Sequence, residues 1–375
     1  MTVLIAGGGI GGLCLAHGLR RSGLPATVFE RSTDLREQGY RISLKGVGEQ
    51  ALRACLPPDL FALAAATALR PATRMVFLSP DLVPKFAKPI PEAREGFGVH
   101  RLTLREILLT ALPDVHFGKT CTGFTAGHEE VRADFADGSS AVGDLLVGAD
   151  GVTSAVRRKL LPEAVIDDLG WAAYGRTPIT AELLAQTPDD LIDTFNRVIA
   201  PDGTAVAIAT CRSRTPIPEA VARIAPYAHL TDVGGYFSWT ATMPGPRPSR
   251  VDPAGLHARV LDAVRGWHSG VRRIVEAADV AATFPVTITS ARPVARWAEP
   301  RVTLLGDAIH TMSPGRGDGA NVALRDAHLL SDLLGSGRPP AQAKADYETQ
   351  MLEYAFAAVA ASRETPFAPF ARPAS

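Results

Sequence analysis

The sequence predicts an α/β protein: a Rossmann-like domain of parallel strands, interrupted by an antiparallel-sheet domain and completed by a C-terminal helix. Three observations predict it. A glycine-rich turn joins an apolar strand to a helix near residue 7. Two further buried strands, near 145 and 302, each run into a glycine- and aspartate-bearing turn that opens a helix. Between them, from about 165 to 290, runs with the two-residue alternation of a half-buried sheet replace the earlier pattern.

The first strand is the apolar run at 2–6, and the second lies at 26–30. Gly7-Gly8-Gly9-Ile10-Gly11-Gly12 between them reads G-x-G-x-x-G. Leu13, Leu15, Ala16 and Leu19 give the helix at about 10–22 an apolar face. Gly7 permits the tight turn, Gly9 lets backbone approach a pyrophosphate, and Gly12 lets the helix pack on the strand. The helix N-terminus offers free N–H groups and the positive end of a dipole to phosphates. Glu30 ends the second strand, where a carboxylate can accept hydrogen bonds from ribose hydroxyls. Together these parts predict a nucleotide site.

Two helices follow at 46–56 and 59–68, broken at Pro57-Pro58, and an amphipathic helix at 100–112. Residues 130–149 read as a hairpin closed by Ala136-Asp137-Gly138, then a buried strand at 144–148. Ala205–Ala209 and Tyr236–Thr240 alternate as antiparallel strands. A buried strand at 301–306 and helices at about 319–334 and 341–362 complete the chain. The expected division is 1–165 with 285–375 as the nucleotide domain and 166–284 as a β-rich substrate domain. Part of 40–100 is expected to contribute to the substrate side.

Composition narrows the function. Lys+Arg and Asp+Glu both number 39 in 375 residues, so no bias points to nucleic acid or an acidic membrane. Cys14, Cys55, Cys121 and Cys211 are too widely spaced for a zinc site or a disulfide framework, so no metal is expected. The start lacks a basic segment before its short apolar run, so no signal peptide is expected. No stretch of about 18 apolar residues suggests a membrane span. A cytoplasmic protein is expected.

The second motif runs from the strand Leu145–Gly148 through Asp150-Gly151 into a short helix with Ser154 and Arg157. The third runs from 302–305 through Gly306-Asp307 to His310, then Pro314 and Gly317-Asp318-Gly319-Ala320-Asn321. An acid at that strand end can accept hydrogen bonds from polyol hydroxyls. The N–H groups at the start of the following helix can stabilise negative charge on a ligand.

With these motifs in order, the chain resembles the flavoprotein monooxygenases of the para-hydroxybenzoate hydroxylase fold (group A). Arg101, with Leu104 and Leu108 behind it, matches a further element of that family. The resemblance implies FAD as cofactor and NAD(P)H as a transient co-substrate; no second G-x-G-x-x-G is present. It implies that Gly7, Gly9 and Gly12 hold the pyrophosphate, and Glu30 and Arg31 the adenosine half. Arg101 would reach the phosphate and ribityl region. Asp307 would bind the ribityl or pyrophosphate portion, with Asp150 and Gly151 supporting the site. Pro314 and the turn Gly317, Gly319, Ala320 and Asn321 would face the pyrimidine edge of the flavin.

The implied activity is insertion of one atom of O2 into a small, largely apolar aromatic or polycyclic substrate, as hydroxylation or epoxidation, through a flavin C4a-hydroperoxide. The alternatives are an FAD-dependent oxidase or reductase of the same fold, and a protein that sequesters a ligand without turnover. No nucleic acid or membrane partner is expected. Arg41 stands where relatives carry glycine, and reads either as a group that reaches flavin or substrate or as a surface arginine. His310 reads as a proton-transfer group or a packed histidine. Tyr236 and Trp239, with Phe237 and Trp171, read as substrate-lining aromatics or as sheet core. Asp318, where relatives often have Gln, adds negative charge beside the flavin's anionic edge.

Overall fold

The computed structural model describes residues 1–35, 41–91, 95–248 and 252–364. Val3–Ala6 is the centre of a five-stranded parallel sheet. It pairs with Ala26–Phe29 on one side and Leu145–Gly148 on the other, Val3 lying opposite both Ala26 and Leu145. Val302–Leu304 and Val115–His116 form the edges. Val3, Ile5, Val147 and Val302 are wholly buried. That is the unbroken apolar run of strands covered on both faces.

Strand order reverses at Val3–Ala6, because the chain moves first to one side of it and later to the other. In open parallel sheets ligands bind beyond the carboxyl ends at such a reversal. Parallel pairing puts the turns after Ala6, Gly148 and Leu304 at the same edge, so motifs far apart in sequence meet there.

The helix Ile10–Arg21 packs against the long helix Gly319–Gly335. A Cβ on Gly18 would stand 2.3 Å from the Ser331 hydroxyl oxygen, so the two backbones approach closely only with glycine there. The last helix, Pro340–Glu364, braces the sheet from outside, and Tyr347 donates to the Leu304 carbonyl at 2.9 Å. The expected hairpin is present as Val131–Phe135 with Ser140–Gly143, extended to three strands by Cys121–Ala126.

The second large sheet has seven strands in the order Phe284–Ala291, Ile166–Pro178, Tyr236–Thr242, Ala205–Cys211, Thr194–Ile199, Arg74–Leu78 and Pro84–Pro89. Pairing is antiparallel except between Thr194–Ile199 and Arg74–Leu78. Two of its strands therefore come from before residue 100. The helices Pro253–Ala263 and Ser269–Glu276, which the alternating pattern did not announce, cover one face.

The two-residue period divides the strand Tyr236–Thr242. Phe237, Trp239 and Ala241 pack under the helices, whereas Ser238, Thr240 and Thr242 face the opposite side. Trp239 is fully buried, donates its indole N–H to Thr177 Oγ1 at 3.2 Å, and lies over Gly175, where any Cβ would overlap its ring. The expectation that Tyr236 and Trp239 line the substrate space is thereby corrected. Trp239 belongs to the helix-covered core. Tyr236 shares the parity of Ser238 but sits beyond the cavity's end, edge-on to His100 with ring centroids 5.4 Å apart. Phe237 and Trp171 are buried in the same helix-covered core as Trp239.

Candidate functional site

A cavity of about 980 Å³ lies between the two large sheets. One wall is the strand-end edge of the parallel sheet: Gly9, Gly12, Gly151, Gly306 and Asp307 line it, with the turn Pro314–Gly317 and Gly319 and Ala320. The opposite floor is the seven-stranded sheet, through Ala172, Tyr174, Arg197, Ala207, Ala209, Ser238 and Thr240.

The glycine turn is shaped by contact as well as by dihedral angle. Gly7 has φ +115°, and a Cβ there would stand 2.2 Å from the Ala149 carbonyl oxygen. A Cβ on Gly12 would stand 2.1 Å from the Gly7 carbonyl oxygen. Gly9 has open space around it and faces the cavity. Backbone packing therefore demands Gly7 and Gly12, whereas Gly9 leaves room for a ligand.

Glu30 holds this turn from the side. Its Oε2 accepts the Gly8 N–H at 2.7 Å and its Oε1 the Ser32 N–H at 2.9 Å. Arg105 stands 3.3 Å from Oε2 and donates through Nε to the Gly8 carbonyl at 2.8 Å. Burial works to raise the Glu30 pKa, but the Ser32 amide, Arg105 and the Gly8 amide together hold it below the ordinary value. Sequence reading missed Arg105. Its only signal was a charge on the buried side of an amphipathic helix, four residues after Arg101. Arg31 lies on the surface and donates to Thr153 Oγ1 at 3.2 Å.

Asp150 accepts from Ala155 N at 2.7 Å at the start of the short helix that Ser154 caps, while its Oδ1 is buried with no protein partner among the described residues. Gly151 beside it has φ +77° and lines the cavity. Arg101 opens the helix Arg101–Leu109 and lines the same space. Asp307 opens on the cavity but sits deep among protein atoms. That depth pushes its pKa upward, against the pull of His310 and Arg101.

His310 is absent from the cavity wall. It is fully buried and its Nε2 meets Asp326 Oδ2 at 2.6 Å. Asp326 also accepts the Gly306 N–H at 2.9 Å and the Tyr354 hydroxyl at 2.7 Å. Burial works against a charged His310, but Asp326 overrides it and raises its pKa. The reading of His310 as a packed histidine is the one its surroundings support: it ties the Gly306-Asp307 turn to two helices.

Asn321 is a staple. Its side chain accepts from Lys45 N at 2.7 Å and donates to the carbonyls of Ser43 at 2.9 Å and Gly317 at 2.8 Å. It faces the 43–45 segment, and its neighbours Gly319 and Ala320 line the cavity. The extra charge of Asp318 is balanced by ion pairs with Lys45 and with Arg316, the latter at 3.2 Å. Arg41 lies on the short strand Arg41–Ser43, half-buried, with its Nε enclosed and its side chain on the cavity. Gly39 and Tyr40 before it lie outside the described residues.

These residues fit a dinucleotide carrying a polyol and an anionic ring system. The backbone cradle excludes any Cβ at Gly7 and Gly12. An uncommitted carboxylate, Asp307, faces the cavity, and a helix N-terminus points into it. Among the described residues no group of three or more His, Cys, Asp or Glu is placed to hold a metal ion. Among those residues no helix is long and apolar enough to cross a membrane.

Comparison with known proteins follows the same line. Residues 101–359 match the FAD binding domain family. The chain is 32% identical over 377 residues to a dual O-methyltransferase/FAD-dependent monooxygenase (elcB) of Phaeosphaeria nodorum, covering 90% of this chain and 40% of that protein. The chain thus spans about two fifths of that fungal relative. It is 30% identical to the aurachin C monooxygenase/isomerase of Stigmatella aurantiaca, covering 96% of this chain and 88% of that one. Among solved structures, a Photorhabdus luminescens chain assigned as an FAD-containing monooxygenase superposes with TM-score 0.83 at 31% identity, over 98% of both chains. Klebsiella pneumoniae HpxO, solved with FAD and uric acid, superposes with TM-score 0.79 at 25% identity, over 98% of this chain and 88% of that one. The chain therefore belongs to the FAD binding domain family of the group A flavoprotein monooxygenases, and FAD is its cofactor.

Proposed function

We propose that the protein is an FAD- and NAD(P)H-dependent monooxygenase that inserts one atom of O2 into a small organic molecule with a largely apolar body. The observation that carries this reading is the single cavity shared by the cofactor turns and the floor of the seven-stranded sheet. A substrate lying on that floor would face whatever the turns hold. FAD, when bound, supplies the redox chemistry, taking electrons from NAD(P)H and activating O2.

The chain's residues bind, orient and exclude water. In this reading Gly7, Gly9 and Gly12 admit the pyrophosphate against the N-terminus of the first helix. Glu30, Arg31 and Arg101 serve the adenosine and phosphate portions, Asp307 the ribityl hydroxyls, and Asp150 with Gly151 supports the pyrophosphate. Gly319 and Ala320, at the start of their helix, bring backbone N–H groups and a positive dipole end to the ring's anionic edge, and Pro314 and Gly317 shape the turn before them. Lys45 and Arg316 keep Asp318 from opposing that charge. Small side chains on the floor (Ala172, Ala207, Ala209) leave room, and Met75, Ile90, Phe195 and Met312 supply apolar walls that exclude water. In this reading the cofactor domain is drawn from 1–165 and from 285 onward, except that the strand Phe284–Ala291 joins the substrate sheet. Residues 166–284, with the strands at 74–89, form the substrate domain. All four cysteines are free, which suits the reducing cytoplasm we assign it.

The test is the absorbance spectrum of purified protein, then NADH or NADPH with aromatic and polycyclic compounds under 18O2. A two-band flavin spectrum, compound-stimulated oxidation and one labelled oxygen in the product support the proposal. Hydrogen peroxide without labelled product points to an oxidase or reductase. Ligand binding without stimulated oxidation points to a sequestering protein.

A further inference from the structure

Asp318 directly precedes the long helix Gly319–Gly335, yet its side chain does not cap that helix. Aspartate is among the best N-cap residues, because its carboxylate accepts N–H groups of the first turn that have no other partner. Here the backbone of Asp318 is already helical, at φ −85° and ψ −27°, and its side chain accepts no cap hydrogen bond. The carboxylate is turned sideways instead. Its Oδ1 pairs with Lys45 Nζ and its Oδ2 with Arg316 Nε, the latter at 3.2 Å. One side chain thus joins the end of the 43–45 segment to the turn Pro314–Arg316.

This cluster stands at the rim of the cavity. Lys45 and Arg316 line it, yet their side chains remain 45% and 41% exposed, while Asp318 between them is 17% exposed. Deeper in, the buried Asn321 joins the same two segments through its bonds to Lys45 N, Ser43 O and Gly317 O. Two fasteners therefore hold these segments together, an inner one between neutral groups and an outer one between ions. An isolated surface ion pair adds little, because two long side chains must be ordered for it and water screens it. Asn321 has already fixed the backbone of Lys45, and one carboxylate serves both cations, so less freedom is lost here for each contact.

Resting on the reading that Gly319 and Ala320 meet the cofactor ring, we infer that Lys45, Asp318 and Arg316 form an ionic latch across the rim of the cavity, which opens for FAD to enter or leave. Ser43 and Lys45 line the cavity on one side of the latch, and Pro314–Gly317, Gly319 and Ala320 on the other, so parting them widens the way to the ring's place. Salt separates the two fasteners. The bonds of Asn321 join neutral groups, whereas the latch weakens as the Debye length falls from about 10 Å at 0.1 M salt to about 3 Å at 1 M. The sign of the Asp318 effect is also distinctive. A carboxylate acting on the ring alone would oppose its electron-rich edge, and removing that charge would slow FAD release. A latch predicts that removing it speeds release.

The experiment has two readouts. Hydrogen–deuterium exchange in peptides spanning 43–48 and 313–320 reports opening, in the protein with FAD and after FAD removal. The return of flavin fluorescence on dilution reports FAD release. Both are followed at about 0.1 M and about 1 M NaCl. Salt is expected to speed both in wild type by about threefold or more. Asp318→Asn is expected to exchange and to release FAD about fivefold faster than wild type at the lower salt, with a smaller response to added salt. Lys45→Met is expected to do part of this and carries the test if the first variant does not fold. The double variant is expected to go no further than Asp318→Asn, since the contact is already gone. Unchanged exchange in both single variants overturns the latch. Faster exchange with unchanged FAD release overturns its hold on the cofactor, and slower release overturns it in favour of a direct effect of the charge on the ring. A protein that takes up no FAD counts against the proposed function, and exchange in the FAD-free protein then still decides whether the latch exists.

Discussion

At the residue scale, the cofactor wall depends on buried charges with specific partners. Arg105 ties the Gly8 carbonyl to Glu30, and removing it leaves a buried carboxylate held only by neutral donors from Gly8 and Ser32. Arg105→Met is expected to lower stability by about 3 kcal/mol in urea unfolding and to weaken FAD binding. An unchanged midpoint would show that these neutral donors suffice. His17 behaves oppositely. Burial lowers its pKa to about 4, against a hydrogen bond to the Leu108 carbonyl at 2.8 Å that works to raise it. The folded protein therefore holds His17 neutral while the unfolded chain takes up a proton below its ordinary value of 6.5. Stability should be complete above about pH 6.5 and fall by about 3 kcal/mol toward pH 4. His17→Gln is expected to flatten that part of the stability–pH curve, and equal slopes for the two proteins would place the acid sensitivity elsewhere.

At the scale of elements, the glycine turn separates two requirements that the motif joins. Gly12 touches backbone, and Gly9 touches nothing within 4 Å. Gly12→Ala should therefore destabilise the protein even without FAD, by several kcal/mol as the helix is forced off the strand. Gly9→Ala should leave the melting temperature of the FAD-free protein unchanged and weaken FAD affinity alone. Thermal unfolding of both variants with FAD removed, beside flavin titration, distinguishes these outcomes; equal destabilisation by both would refute the division. The Gly306-Asp307 turn shows the same layering. Asp326, from the helix Gly319–Gly335, and Tyr354, from the last helix, hold His310 and the Gly306 amide, and so aim Asp307. The Gly-Asp pair was visible in the sequence. Its support was not, because Asp326 and Tyr354 lie 20 and 48 residues beyond Gly306 with no motif around them.

At the scale of the whole molecule, the cavity is a space between two sheets and exists only when both are in place. A ligand that binds only the folded form stabilises it by mass action. FAD at a hundredfold excess over its dissociation constant is expected to add about 2.7 kcal/mol to the stability of the FAD-free protein. Thermal unfolding across an FAD series checks this, and a melting temperature independent of FAD would mean that the folded form does not bind it in preference to the unfolded chain.

The sequence by itself determined the parallel-sheet half and its three glycine-bearing turns, and the resemblance those motifs carry supplied the cofactor. Those features are local: a buried strand reads as an apolar run, a tight turn as glycine, and a helix as a three- to four-residue apolar period, each within a dozen residues. Alternation likewise announced an antiparallel sheet after residue 165, but could not say which parity faced the cavity, since both faces of Tyr236–Thr242 are covered. Only the tertiary structure decided that. Two helices cover the face bearing Trp239 and turn its aromatics into core, while Ser238, Thr240, Thr242, Ala207, Ala209 and Arg197 are left on the cavity. The same holds for Arg41 and Arg105. What an arginine does depends on which distant backbone or carboxylate it meets, and that is set by packing between elements far apart in the chain.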